Sequence, residues 1–320
     1  MQPSRRELVV SSLALGALGG LGVASPGDGD SDAAPQHASE GPVSAPLFRI
    51  SLAQWSLHRA QRAGELEALD FPAYALREFG IDAVEYVSQF FADRAGDFAW
   101  LRDLRARADR EGVRSLLIMV DGEGALGAKD GEERRRAIER HFKWVAASAF
   151  LGGHAIRVNV AGEGSREEHA RLAADSLHRL ADVAHDYGIS ILVENHGGPS
   201  SDGAWLADVM RRADHPGIGT LPDFGNFRIA EGVQYDRYQG IAELMPWARA
   251  VSAKSHDFDD AGEETGTDYA RMLGIVLDAG YRGWIGIEYE GGRLPEVEGV
   301  RRTRDLLLKL RERFAAEGRR

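Results

Sequence analysis

The segment REEHARLAADSLHRLADVAHDYGISILVENHGG, residues 166–198, decides the fold. Leu172, Leu177, Leu180, Val183 and Ala184 recur at the helical period, so residues 166–187 predict an amphipathic helix. Gly188 follows, where a helix closing in the left-handed conformation needs a residue without a Cβ. Ser190–Val193 is then a short apolar strand, and it runs into Glu194-Asn195-His196-Gly197-Gly198. A helix, a glycine, a buried strand and a polar, acid-bearing exit make one repeat of a parallel α/β fold.

The same order recurs from Leu47 onward. Strands are predicted at Arg49–Ala53, Ala83–Val87, Ser115–Val120, Ala155–Val160, Ser190–Val193, Ile218–Leu221, Ala250–Lys254 and Trp284–Ile287. Helices are predicted at Phe71–Phe79, Phe98–Glu111, Glu132–Phe150, Arg166–Tyr187, Ala204–Ala213, Gln239–Met245, Tyr269–Ala279 and Pro295–Ala316. Gly80, Gly112 and Gly280 punctuate as Gly188 does. Eight such units in roughly 270 residues match a single-domain (β/α)8 TIM barrel. A doubly wound open sheet is the rival, but the glycine cluster Gly16–Gly22 has no strand before it and makes no dinucleotide fingerprint.

Outside the repeats, Arg5-Arg6 precede an apolar, Gly-rich run from Leu8 to Val23 that is too short for a comfortable membrane span. Residues 1–24 are read as a twin-arginine-type signal peptide and 25–46 as a disordered linker, leaving 47–320 as the barrel. The expected location is therefore periplasmic or extracellular, with no membrane attachment after cleavage. The chain has 320 residues, a formal net charge of −11 and no cysteine. That composition excludes disulfides, thiolate nucleophiles, cysteine zinc sites and a lipid-modified cysteine. Its acidity argues against nucleic acid as a partner, since phosphate contacts need basic charge. Whether the barrel pairs as a homodimer through its helical faces is left open.

In a TIM barrel the C-terminal strand ends build the active site. Here the last four deliver Glu194, Asp223, Lys254 with His256, and Glu288 with Glu290 to one rim. Carboxylates gathered there repel unless protonated or joined by a cation. Mn²⁺, Mg²⁺, Co²⁺ or Zn²⁺ suits three carboxylates and an imidazole. Each acid taken alone reads as a structural ion pair; four successive strands together point to a metal.

Three segments carry a family resemblance: Leu192-Val-Glu-Asn-His-Gly-Gly198, Leu221-Pro-Asp-Phe-Gly-Asn226 and Ile285-Gly-Ile-Glu-Tyr-Glu-Gly291. They resemble the xylose isomerase-like TIM barrels, also described as sugar phosphate isomerases/epimerases, whose barrel is shared with endonuclease IV. The resemblance implies one divalent ion held by Glu194, Asp223, His256 and Glu288. It implies Glu194 and Glu288 as the opposed acid–base pair, passing a proton beside a substrate carbonyl through an enediolate. His196, Lys254, Arg157, Asn159, Glu85 and Asn226 are the implied supporting or substrate contacts, with Gln54, Trp55 and His58 walling the pocket.

The departures narrow this class. Many relatives carry His-x-Lys-Asp on the seventh strand; here Ser252 takes the histidine slot, and His256, of the same strand parity, lies further out. Ketose 3-epimerases carry a histidine where Asn226 stands and a glutamate where Ser200 stands. Endonuclease IV needs further histidines, whereas strand three ends in Asp121. The expected function is a metal-dependent sugar isomerase or epimerase. The alternatives are a lyase or dehydratase that cleaves 3-keto-glycosides or polyols by β-elimination, and a sugar-binding barrel without turnover. In each case the partner is a small sugar or polyol.

Overall fold

The computed structural model describes residues 45–319. The expected leader and all but the last two residues of the linker lie outside them. Among the described residues no helix is long and apolar enough to cross a membrane.

Eight parallel strands form the barrel: β1 (Arg49–Ala53), β2 (Ala83–Val87), β3 (Arg114–Met119), β4 (Ala155–Val158), β5 (Ser190–Glu194), β6 (Ile218–Leu221), β9 (Val251–Ser255) and β10 (Trp284–Tyr289). They run in the order β6-β5-β4-β3-β2-β1-β10-β9. The remaining seam, β6 against β9, is joined by the parallel bridges Thr220–Ala248 and Asp223–Ser252. A short antiparallel hairpin, β7 (Arg228–Ala230) and β8 (Val233–Gln234), leaves the β6 exit. It was not expected from the sequence, because so short and exposed a pair carries no apolar alternation.

The helices are α1 (His58–Arg62), α2 (Phe71–Phe79), α3 (Phe98–Glu111), α4 (Gly131–Leu151), α5 (Arg166–His185), α6 (Gly203–Ala213), α7 (Arg237–Leu244), α8 (Tyr269–Asp278) and α9 (Glu296–Ala316). Polar residues cap six of them: Asp97, Asp130, Ser165, Asp202, Asp236 and Asp268 each accept backbone N–H groups of the first turn. Gly80, Gly112, Gly188 and Gly280 all have positive φ, as their spacing predicts.

Strand parity sorts the core into two layers. Outward residues such as Val84, Ile118, Ile156, Ile191 and Ile287 pack under the helices. Inward residues Leu117, Met119, Ala155, Leu192, Leu221 and Ala250 fill the barrel floor. Two residues further along, the same inward columns turn polar or ionisable: Asp121 after Met119, Arg157 after Ala155, Glu194 after Leu192, Asp223 after Leu221 and the hydroxyl of Ser252 after Ala250. The apolar floor thus holds a polar layer just below the mouth.

Candidate active site at the barrel mouth

Glu194, the last residue of β5, Asp223, two past β6, and Glu288, near the end of β10, are all buried. One carboxylate oxygen from each lies within 4.8 Å of the other two. Ser252 of β9 sits between two of them, its hydroxyl 2.7 Å from Asp223 Oδ2 and 2.9 Å from Glu288 Oε2. A hydroxyl has one proton to donate. If both carboxylates are ionised, one of these contacts is repulsive; the Lys254 ammonium, 3.2 Å from Glu288 and 4.0 Å from Asp223, offsets part of that repulsion, and a further proton or a divalent cation would offset the rest.

The surroundings hold each carboxylate in place. Asp223 Oδ1 accepts the N–H groups of Gly225 and Asn226 at 2.9 and 2.8 Å. Asn195 grips the Asp223 backbone in both directions, accepting its N–H at 2.8 Å and donating to its carbonyl at 2.9 Å. Asn226 donates to Glu194 Oε1 at 3.0 Å and accepts from Lys254 at 3.3 Å. The Lys254 ammonium, buried, lies 3.2 Å from both Glu288 and Glu290. Arg157 lies between Glu194 and Asp121, each 2.8 Å away. Glu194 Oε2 and Arg157 Nε are close but out of line, and neither has a hydrogen-bond partner.

Burial sets the electrostatics. It pushes Glu194 up to about 7 against the pull of Arg157, and Asp223 up to about 7 against that of Lys254. Glu85, inside β2 with its carboxylate 2.6 Å from the Ser51 hydroxyl, is raised to about 7 by burial, with Glu288 and Glu194 adding to the shift. Asp121 goes the other way: burial opposes ionisation, but Arg157 and further hydrogen bonds bring it down to about 2. His196 is exposed at the mouth, yet the surrounding protein and the charges of Arg157 and Lys254 hold its imidazole below the usual value.

His256 is exposed, and its ring is 3.9 Å from Glu290 rather than among the three gathered carboxylates. Trp55 donates through its indole N–H to Glu290, stacks on His58 at 5.0 Å and packs near Phe90 at 6.0 Å. Asn159 donates to Asp121 at 2.7 Å, and its own carbonyl oxygen is buried without a partner. Asp121, Ser252 and Glu290, placed by the sequence at strand exits but not among the expected ligands, catalysts or substrate contacts, are integral to this network. Their signal was inward parity with Met119, Lys254 and Glu288.

These residues suit a divalent cation. Three buried carboxylates converge, an oxygen of Glu194 lacks a partner, and Ser252 cannot satisfy Asp223 and Glu288 together. The model of the xylose isomerase-like TIM barrel family matches residues 73–310.

The chain belongs to that family. Among solved xylose isomerase-like barrels, a Mycobacterium smegmatis protein in complex with magnesium has 17% sequence identity and a TM-score of 0.57, covering 74% of this chain and 85% of that one. A 3-keto-D-glucoside 4-epimerase from E. coli has 16% identity and a TM-score of 0.59, covering 83% of this chain and 99% of that one. In sequence, the alpha subunit of a 3'-dehydrocarminate deglycosidase from Microbacterium sp is 35% identical over 57 residues. That match spans 18% of this xylose isomerase-like chain and only 16% of the deglycosidase subunit.

Proposed function

We propose that the protein is a metal-dependent sugar isomerase or epimerase that moves a proton on the carbon beside a carbonyl. The observation carrying this reading is the convergence of Glu194, Asp223 and Glu288, which puts two carboxylates able to exchange protons beside one cation-sized gathering of oxygens at the mouth. A divalent ion held by Glu194, Asp223 and Glu288 would supply polarisation of the substrate carbonyl. Glu194 takes the proton, leaving an enediolate, and Glu288 returns one from the other face. Arg157 and Asn226 fix the Glu194 carboxylate, and Lys254 fixes that of Glu288. Trp55 and His58 stack against the substrate, while His196 and Asn159 meet its hydroxyls. His256 lies beside Glu290 and not among the gathered carboxylates, so the three carboxylates would hold the ion without it.

The test is proton exchange. Incubation with Mn²⁺ in D2O and a panel of free keto-sugars and 3-keto-glycosides is followed by proton NMR. Deuterium should enter beside the carbonyl with wild type and not with Glu194→Gln. No exchange on any member of the panel defeats the reading.

A second outcome of the same abstraction is β-elimination from a 3-keto-glycoside. Glu194 takes the C2 proton, the C1–C2 double bond forms, and the C1 substituent leaves with the bonding electrons and is protonated. The local likeness to a 3'-dehydrocarminate deglycosidase subunit favours this alternative. Release of the substituent, against retention with an altered configuration, separates the two.

A further inference from the structure

The opposite end of the barrel, where the strands begin, holds a cleft of about 420 Å³. Four arginines line it: Arg49 and Arg114, the first residues of β1 and β3, and Arg304 and Arg311 of α9. Asp82 is the acid in the lining. In a chain with net charge −11, this local surplus of cations needs a reason.

Part of the reason is structural. Helices of a TIM barrel end at this face, and their last carbonyls attract cations. Arg304 donates to the Phe79 carbonyl at the end of α2 at 2.9 Å and pairs with Asp305, and Arg311 donates to the Phe48 carbonyl at 3.1 Å. Arg49 and Arg114 have no such duty. Both are exposed, and neither side chain forms an ion pair among the described residues. The Arg49 guanidinium lies 5.4 Å over the Trp284 ring, a planar pairing that leaves its in-plane donors available. Phe79, Ile81 and Leu308 give the cleft an apolar floor.

We propose that this cleft binds a small organic anion, with a carboxylate, sulfate or phosphate head between Arg49 and Arg114 and an apolar or aromatic body on the floor. Guanidinium groups match such heads bidentately, and the adjoining apolar surface gains from covering the body. The site is at the far end of the barrel from the carboxylate rim and is independent of the reaction assigned there.

Titration of the purified protein with 1-anilinonaphthalene-8-sulfonate, followed by fluorescence and calorimetry, tests the proposal. Saturable binding near one per chain is expected, weakened about tenfold or more by Arg49→Glu with Arg114→Glu and by raised salt. Asp82→Asn, which removes the opposing charge, should tighten it. Thermal melts check that each variant folds, and if the double arginine variant does not fold, Asp82→Asn alone decides. Co-sedimentation with phosphatidylglycerol vesicles places the head on a lipid if it needs the same arginines and the soluble probe competes. No binding, affinity unchanged in the variants, or vesicle binding without competition by the probe overturns the site.

Discussion

Ser252 shows how one side chain constrains the whole rim. Its single proton lies between Asp223 and Glu288, so those carboxylates depend on the nearby Lys254 ammonium, and on any further proton or cation, to sit so close together. Glu194 and Glu288 carry the proposed chemistry. Glu194→Gln and Glu288→Gln should each lower turnover by about 10³-fold or more, while Glu290→Gln is tolerated within about tenfold, as steady-state kinetics would show. Full activity in either of the first two removes the mechanism. Glu85 makes a separate prediction. Its folded value of about 7 exceeds the ordinary 4.5, so its contribution to stability is fully present below about 4.5 and lost as pH rises through about 7. The shift corresponds to something on the order of 3 kcal/mol. Glu194 and Asp223, raised to the same value, act in the same direction, so metal-free protein should melt at a lower temperature at pH 8 than at pH 5, and Glu85→Gln should lessen that slope by its own share. An unchanged slope in the variant would place the titration elsewhere.

At the scale of the element, the strand exits were the legible part of the sequence. Helix period, left-handed glycines and acid-bearing exits identified every barrel strand, with boundaries moved by a residue or two. Long apolar runs bury themselves whatever their neighbours, which makes them readable alone. Pairings across strands are not readable in this way. Asp121 meets Arg157 and Asn159, and Ser252 meets Glu288, only because parallel register sets those columns side by side. Glu85 was expected near the rim, but register places it inside β2, against Ser51 of β1. Gly225 illustrates the same dependence. A Cβ there would lie 2.9 Å from Cδ and 3.0 Å from Cγ of Lys254, so the exit of β6 must be bare for the lysine to pass. Gly225→Ala should displace the ammonium from Glu288 and lower kcat about tenfold or more, with a small change in melting temperature. An unaltered kcat would show that the position of Lys254 is not critical.

Across the whole molecule, the barrel closes least regularly where the site lies. The neighbouring strands β5 and β6, and β9 and β10, pair over four and five residues, but β6 and β9 meet through isolated bridges. One of those bridges is Asp223–Ser252, so an ion held by Asp223, Glu194 and Glu288 would tie β5, β6 and β10 across that seam. Its binding energy then becomes stability of the closed barrel, by about 2.7 kcal/mol at a free concentration one hundred times Kd. Purified wild type should hold close to one divalent ion per chain, and Asp223→Ala with Glu288→Ala should hold none. Adding Mn²⁺ or Zn²⁺ should raise the melting temperature of wild type alone. Amide exchange in β6 and β9 should slow more than in β2 and β3, because the ion stiffens the seam rather than the whole ladder. Uniform protection would mean that closure does not depend on the ion. No bound metal after incubation with either ion would leave the carboxylates as a protonated structural network, and the proposed enzyme chemistry would fall with it.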